Sequence, residues 1–437
     1  MKVNYRKLKE TIENRPWILF GLILLVGMYL RFYRIESVKD FAWDQARDSW
    51  AMRDLLMGRL PLVGPRTGIG HFHLGPAYFY LLAPFYYVMN FDPMALNIFN
   101  FLANIFNFLA IYWVTKKTFN SNAALFVSFV YAVNNYLIDI NMVPWNVTLM
   151  IGVAMLIFYG INQIYKERYK WVFGVWVLSG FYFNLHFTAI FIPFIVLASL
   201  IFVKNKIRVF KYSLLSLPFY LIWFVPNLIY ELGVGDDVRR FNVFLGDYYI
   251  GFHFRFLLHR LSDALVHFGT ILYFSGLEVL KFGLPVIFLG LMMFKEKSKE
   301  KRLLGYLISL WFIIPWVGFT FYGGQLRLPE YYFLYNAPLV IYVFWYIQEK
   351  ILGTRFKKIL LILLLIFWGA YGYFNTKDSW IKPKTGGLKE QKADVRKEIN
   401  QGGWFEFNEG KIKSYMYLIW KEDGVEWWKP KFNTMSL

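Results

Sequence analysis

The sequence predicts an all-α polytopic membrane protein, and three observations carry that expectation. Of 437 residues, 57% are hydrophobic and 22% aromatic, and the mean hydropathy is +0.38, more apolar surface than a soluble domain buries. Apolar stretches of spanning length recur along the chain, separated by short clusters of lysine and arginine. The 17 Trp and 31 Tyr suit two water–lipid interfaces, where amphipathic rings anchor. A net charge of +19 would suggest nucleic acid in a soluble protein. Here the cations fall between apolar runs, where they mark topology, so nucleic acid is not an expected partner. The chain has no cysteine, which excludes disulfides, thiolate metal sites and cysteine nucleophiles.

Each apolar stretch can be taken in order. Lys2, Arg6, Lys7, Lys9 and Arg15 precede the run Trp17–Leu30, and no small-residue cleavage site follows it. It reads as a retained signal anchor with its N-terminus cytoplasmic. Further stretches lie at 73–90, 94–114, 122–140, 147–165, 171–186, 187–203, 212–231, 277–294, 303–322, 331–348 and 359–375. Five basic clusters, around 116–117, 166–170, 204–211, 295–302 and 350–358, all fall on the cytoplasmic side only if 73–90 does not cross. That stretch is interrupted by Pro76 and Pro84, which disfavour a helix interior, so it is expected to be interfacial or re-entrant. About eleven spans remain. Residues 171–203 carry basic clusters at both ends, so they cross twice, turning near Asn184-Leu185-His186. The outer face of the cytoplasmic (plasma) membrane then collects a first loop over 34–93, a second over 232–276, and the C-terminus. Two units follow: a membrane domain over 1–375 and a small extracytoplasmic segment over 376–437. In that segment Leu388–Asn400 reads as a helix and Lys413–Lys421 as a strand, giving an α/β appendage.

No Asp, Glu, Lys or Arg sits in the middle of an assigned span, which weighs against an ion-coupled transporter. Asn104, Asn107, Asn134, Asn135 and Asn227 are the main mid-span polar groups, and interhelical hydrogen bonds account for them. The first outer loop differs. Asp44, Arg47 and Asp48 are spaced i, i+3, i+4 and share a face if Trp43–Gly58 is helical. Trp43, Trp50 and Met57 recur every seven residues on another face, suited to lying in the interface. Asp44 is placed either as a general base or as a ligand for a divalent cation, Mg²⁺ or Mn²⁺. An exposed amphipathic helix with local Asp–Arg pairs is the alternative account of the same spacing. Arg66 is a candidate phosphate contact, and His71 and His73 candidate metal or proton-carrying groups. His186 with Trp145-Asn146, and Arg327 with Tyr331, are further candidates facing the same compartment. Asp236, Asp237, Arg239 and Arg240 read as a solvated turn.

One first span, an aspartate motif in a long outer loop, and a His/Gly/Pro/aromatic element after it resemble the GT-C glycosyltransferases. The resemblance is to the family 39-like branch of protein O-mannosyltransferases and aminoarabinose transferases, and is strongest over 40–115. Asp44-Gln45 stands where that family usually has Asp-Glu. The segment His73-Leu74-Gly75-Pro76-Ala77-Tyr78-Phe79-Tyr80 is similar to its His-Pro-Pro-Leu-Tyr-Tyr element, and Tyr331 stands where an arginine is expected. The resemblance implies a GT-C bundle with interfacial helices in the first outer loop, and transfer of a sugar from a polyprenyl-phosphate-linked donor. The acceptor would be a glycan, lipid or protein at the outer face. It implies that Asp44 is catalytic with Asp48 supporting it, and that Gln45, Arg47, Arg66, His71, His73, Tyr78, His186, Arg327 and Tyr331 bind substrate. A transporter or a non-catalytic lipid-binding protein is the competing expectation, distinguished by whether covalent chemistry occurs.

Overall fold

The computed structural model describes residues 15–39, 41–67, 73–233, 254–272, 278–322, 327–351, 362–363, 365–371, 373–374, 377, 387–401 and 412–423. His71, the solvated turn at 236–240 and most of the second outer loop lie outside the described residues. The elements are α1 (Pro16–Phe32), α2 (Trp43–Leu56), α3 (Ala77–Val88), α4 (Met94–Thr118), α5 (Ser121–Val133), α6 (Asn135–Met142), α7 (Met150–Tyr165), α8 (Trp171–Phe183), α9 (Phe191–Leu200), α10 (Lys206–Leu221), α11 (Val225–Gly233), α12 (Phe254–Leu272), α13 (Glu278–Gly290), α14 (Lys299–Phe319), α15 (Ala337–Ile351), α16 (Leu388–Gln401) and α17 (Ile412–Asp423). Among the described residues there is no strand, and Lys413–Lys421, expected as a strand, lies within the helix Ile412–Asp423. Its run Ser414–Trp420 alternates weakly enough to fit period 2. The buried set is Ser414, Tyr417, Leu418 and Ile419, in which 414, 417 and 418 follow the i, i+3, i+4 spacing of a helix face.

Five described helices are long and apolar enough to cross a membrane, or six with α5 and α6 counted as one bent span; 171–183, 187–200 and 282–295 are shorter apolar helices. Helix α3, from the stretch expected to be interfacial, has 12 residues. At 1.5 Å per residue it is about 18 Å long, short of the roughly 30 Å hydrocarbon core. The core runs through α1, α4, α5, α7, α8 and α15 as one cluster. A smaller aromatic cluster of Phe191, Phe319, Tyr322, Leu328, Tyr332 and Phe333 sits at one end.

The basic clusters meet at the opposite end. Lys166 pairs with Glu300 at 2.6 Å, Lys204 with Glu167 at 3.0 Å, and Lys350 with Glu296 at 2.9 Å. The turns at 143–146 and 184–186 lie at the other end of α7 and α8, so the charge clusters and the turns occupy different ends of one bundle, as their sequence spacing requires.

Breaks in these helices create the polar work inside. α5 and α6 are bent by 66° around Asn134, whose side chain accepts from Leu137 N at 2.9 Å and donates to Ile271 O at 2.6 Å. The carbonyls left open at the end of α5 are taken by Arg31, fully buried, which donates to Tyr131 O at 2.8 Å and Ala132 O at 2.9 Å. A cation at a helix C-terminus also suits the helix dipole. Of the asparagines expected to bridge helices, Asn104 and Asn107, like Asn134, do so through backbone, and Asn100 joins them. Asn100 and Asn104 donate to Asn141 O, and Asn107 donates to Thr148 O while accepting from Gly152 N. Irregular backbone at bilayer depth persists only where such partners satisfy it. Arg31→Met keeps an apolar stem but strands the Tyr131 and Ala132 carbonyls, a loss of about 1–3 kcal/mol for each. The melting temperature in detergent is expected to fall clearly; an unchanged value contradicts this role.

Candidate functional site

Helix α2 is built to present one charged face. Ala42 precedes it in extended conformation, Asp44 lies in its first turn, and Gly58 at φ 92° follows its end, a backbone state that a glycine enters without penalty. Gln45 is 5% exposed: its carbonyl oxygen accepts from Ala42 N at 3.3 Å, and its amide donates to Pro144 O at 3.2 Å. A glutamate at this position could not make that second bond, which gives a local reason for glutamine after Asp44. Gln45 is therefore a capping residue behind the site, not a substrate contact.

Three faces of α2 have different neighbours. Inward, Ser49 and Tyr86 share a hydroxyl–hydroxyl hydrogen bond at 2.5 Å, and Met52 is fully buried. Toward the tail, Trp50 and Arg53 pack against α17. The third face, Asp44, Arg47, Ala51 and Asp54, lines a cleft of about 1190 Å³. The interfacial stripe expected from Trp43, Trp50 and Met57 is split accordingly. Trp43 and Met57 are exposed, while Trp50 is covered by Tyr417 and Trp420.

Arg47 joins the two aspartates. It donates to Asp44 Oδ1 at 2.7 Å, and through Nε to Asp48 Oδ1 at 2.8 Å. Asp44 keeps 45% of its side chain accessible, whereas Asp48 has none. Burial pushes the Asp48 carboxyl up to about 6, against the opposing pull of Arg47. For Arg47, burial lowers the pKa but Asp48 and Asp44 raise it further, and the net shift is upward. The Tyr78 hydroxyl faces Asp48 and draws its pKa down slightly, yet neither Tyr78 Oη nor Asp48 Oδ2 completes a hydrogen bond of normal geometry. Asp48 and Tyr78 thus stand behind the cleft wall, out of reach of a ligand.

The opposite wall is an irregular hairpin. Gly64 N donates to Leu74 O at 2.7 Å and Leu74 N to Pro65 O at 3.0 Å, leaving Arg66 and His73 as an isolated antiparallel bridge. Gly64 and Gly75 pack so closely that a Cβ on the first would strike the Gly75 carbonyl, and on the second the Asn184 side chain. Asn184 in turn accepts from Ala77 N at 3.0 Å, and Asn227 donates to His73 O and Leu74 O at 3.1 Å each. Two asparagines from α8–α9 and α11 therefore fix this wall.

Trp145, His186, Tyr331 and Tyr332 close the back. The ring centroids of Trp145 and Tyr331 lie 5.2 Å apart, and those of His186 and Tyr332 likewise 5.2 Å. His186 Nδ1 accepts from Thr188 N at 3.3 Å, which assigns its proton to Nε2. Of the sequence candidates, Asp44, Arg47, Arg66, His73, His186 and Tyr331 line the cleft. Arg327 does not: it is exposed, and the next residue is tied through Leu328 N to Asp263. Sequence reasoning missed Asp54, Arg59 and Tyr230. Asp54 sits i+10 from Asp44 and was legible on the helical period; Arg59 follows the Gly58 turn beyond the end of α2, and Tyr230 arrives from α11 with no local signal. Among the described residues no group of three His, Asp or Glu could hold a metal ion, and the position between Asp44 and Asp48 is filled by a guanidinium. The described donor set does not fit the divalent cation expected at Asp44.

Residues 73–230 match the family described as dolichyl-phosphate-mannose-protein mannosyltransferase. The fold matches ArnT from Cupriavidus metallidurans, solved with undecaprenyl phosphate, with a TM-score of 0.53 at 13% identity over 93% of this chain and 74% of that one. The chain shares the fold of that protein. It also resembles the archaeal oligosaccharyltransferase AglB from Archaeoglobus fulgidus, solved with an inhibitory peptide and a dolichol-phosphate, at TM-score 0.54 and 13% identity. That match covers 93% of this chain but 60% of AglB, so this chain spans less than two thirds of the archaeal enzyme. No curated protein matches the sequence.

With the Asp48 carboxyl raised from 3.8 to about 6, the neutral acid forms as pH falls through 6. Infrared difference spectra should gain a protonated-carboxyl band with its midpoint near that pH, absent from Asp48→Asn. A band titrating near 4 contradicts the burial of Asp48.

Proposed function

We propose that this protein transfers a sugar from a polyprenyl-phosphate donor to an acceptor at the outer face of the cytoplasmic membrane, with Asp44 as general base. The observation that carries the reading is an accessible carboxylate and a set of cations lining one cleft, within the fold of ArnT and AglB. The acceptor hydroxyl or amine gives its proton to Asp44 and bonds to the anomeric carbon. The bond from that carbon to the phosphate oxygen breaks, and its electron pair leaves with polyprenyl phosphate. Attack opposite the leaving group inverts the anomeric centre. Arg59 and Arg66 face the developing phosphate charge, where preorganised cations act most strongly, with the His73 ring beside them as a hydrogen-bonding group. Arg47 orients the Asp44 carboxylate, and Asp48 holds Arg47. No step uses a metal.

The reading includes about eleven crossings, with the N-terminus and basic clusters cytoplasmic and the cleft outside. The absence of native cysteine makes this directly testable. A membrane-impermeant maleimide should label Leu60→Cys in intact cells, and Lys206→Cys only after permeabilisation. The reverse pattern inverts the protein and removes the proposal.

For the chemistry, purified protein with a polyprenyl-phosphate sugar and acceptor should release polyprenyl phosphate. Asp44→Asn should fold normally and lower that release by at least about 10²-fold, the scale of a lost general base. Normal turnover by this variant refutes the assignment, and movement of intact donor without release favours a transporter.

A further inference from the structure

The tail helices α16 and α17 contribute no residue to the cleft lining, so among the described residues they do not form its acceptor wall. Their contacts go instead to the helix that carries Asp44. Immediately before α2, buried Gln391 brackets the Phe41 backbone, accepting from Phe41 N at 3.2 Å and donating to Phe41 O at 3.4 Å. Midway along α2, Trp50 meets Tyr417 edge-on at 5.3 Å, and the Arg53 guanidinium lies between Trp50 at 5.0 Å and Trp420 at 4.9 Å. Beyond α3, Tyr417 donates to Phe91 O at 2.8 Å and Lys392 pairs with Asp92 at 2.7 Å. The tail therefore grips the start of α2, its middle, and the turn that ends its partner α3.

We propose that the C-terminal helix pair is a positioning brace for α2, and that Gln391, Tyr417 and Trp420 set where the Asp44 carboxylate stands in the cleft. The physical argument is that a 14-residue helix with one face open to a cleft has only two faces left for packing. α3 takes one, and the tail takes the other. Without the tail, Trp50 and Arg53 lose their ring and cation contacts with Tyr417 and Trp420, and α2 keeps its packing on α3 and the Gln45 bond to Pro144. Asp44 lies one residue after the N-terminus of α2, three positions beyond Phe41, so slack at the Gln391 clamp reaches it directly. A displacement of about 1 Å at a reacting group is enough to cost about 10²-fold in rate.

This inference rests on the catalytic reading of Asp44, and its test separates the two. In the full-length protein, Gln391→Ala and Trp420→Ala are compared with the conservative Trp420→Phe. Amide hydrogen exchange over residues 43–56 is expected to quicken by at least about tenfold in both alanine variants, with α4 and α7 unchanged. In turnover, kcat should fall by about tenfold or more while KM for donor and acceptor stays within about twofold, and Trp420→Phe should restore most of the rate. Unchanged exchange over 43–56 overturns the brace. So does a rise in acceptor KM at constant kcat, which would make the tail a binding element. Exchange that quickens throughout the bundle also overturns it, because the tail would then be a general stabiliser. If the wild-type protein releases no polyprenyl phosphate at all, the catalytic reading fails and the exchange result alone decides the brace.

Discussion

Arg47 stands between two carboxylates that differ only in what surrounds them, and the rest of the site depends on keeping it there. Asp48 is sealed between α2 and α3, where an unpaired negative charge would be costly; Asp44 is at the cleft surface, where water and ligand can reach it. One guanidinium serves both, and its planar fork fixes their relative geometry. The buried partner is the anchor and the accessible one the working group. Spacing of i, i+3, i+4 on a rigid helix makes the arrangement, but only the burial of one carboxylate divides the labour.

The same logic extends outward. A cleft at the edge of an apolar bundle must be walled by irregular backbone, because turns and hairpin edges are what bring side chains from distant segments together. Such backbone needs donors and acceptors that lipid does not supply. The chain answers with amide side chains: Asn184 and Asn227 hold the Gly64–Gly75 hairpin, Gln45 ties the start of α2 to Pro144, and Gln391 brackets Phe41. Arg31 does the equivalent for the broken α5–α6 span. These groups do much of the structural polar work, and Asp44, Arg59 and Arg66 of the first outer loop are left to line the cleft.

Much of this was readable before any coordinates. That several helices are long and apolar enough to cross followed from apolar length, although five, or six with the bent pair, meet that length among the described residues against about eleven expected; the relative placement of turns and basic clusters followed from charge parity, because both depend on local composition. The Asp44–Arg47–Asp48 face followed from helical period. What period cannot say is which side of a helix its neighbours cover. Tyr78 and Tyr86, 30 or more residues on, bury Asp48 and Ser49, and Tyr417 and Trp420, more than 360 residues on, bury the Trp50 side taken for a lipid face. The same long-range packing turned a short alternating segment into α17. Arg327 failed as a candidate because proximity in sequence to Tyr331 says nothing about where a side chain points when the segment between is irregular.

The most direct test of the whole account is a structure of this protein with polyprenyl monophosphate bound. The account predicts the phosphate in the cleft, bonded by Arg66 or Arg59, with the Asp44 carboxylate across from it and space between for a sugar and an acceptor atom. Phosphate bound outside that cleft, or on the same side as Asp44 with no room between them, contradicts it.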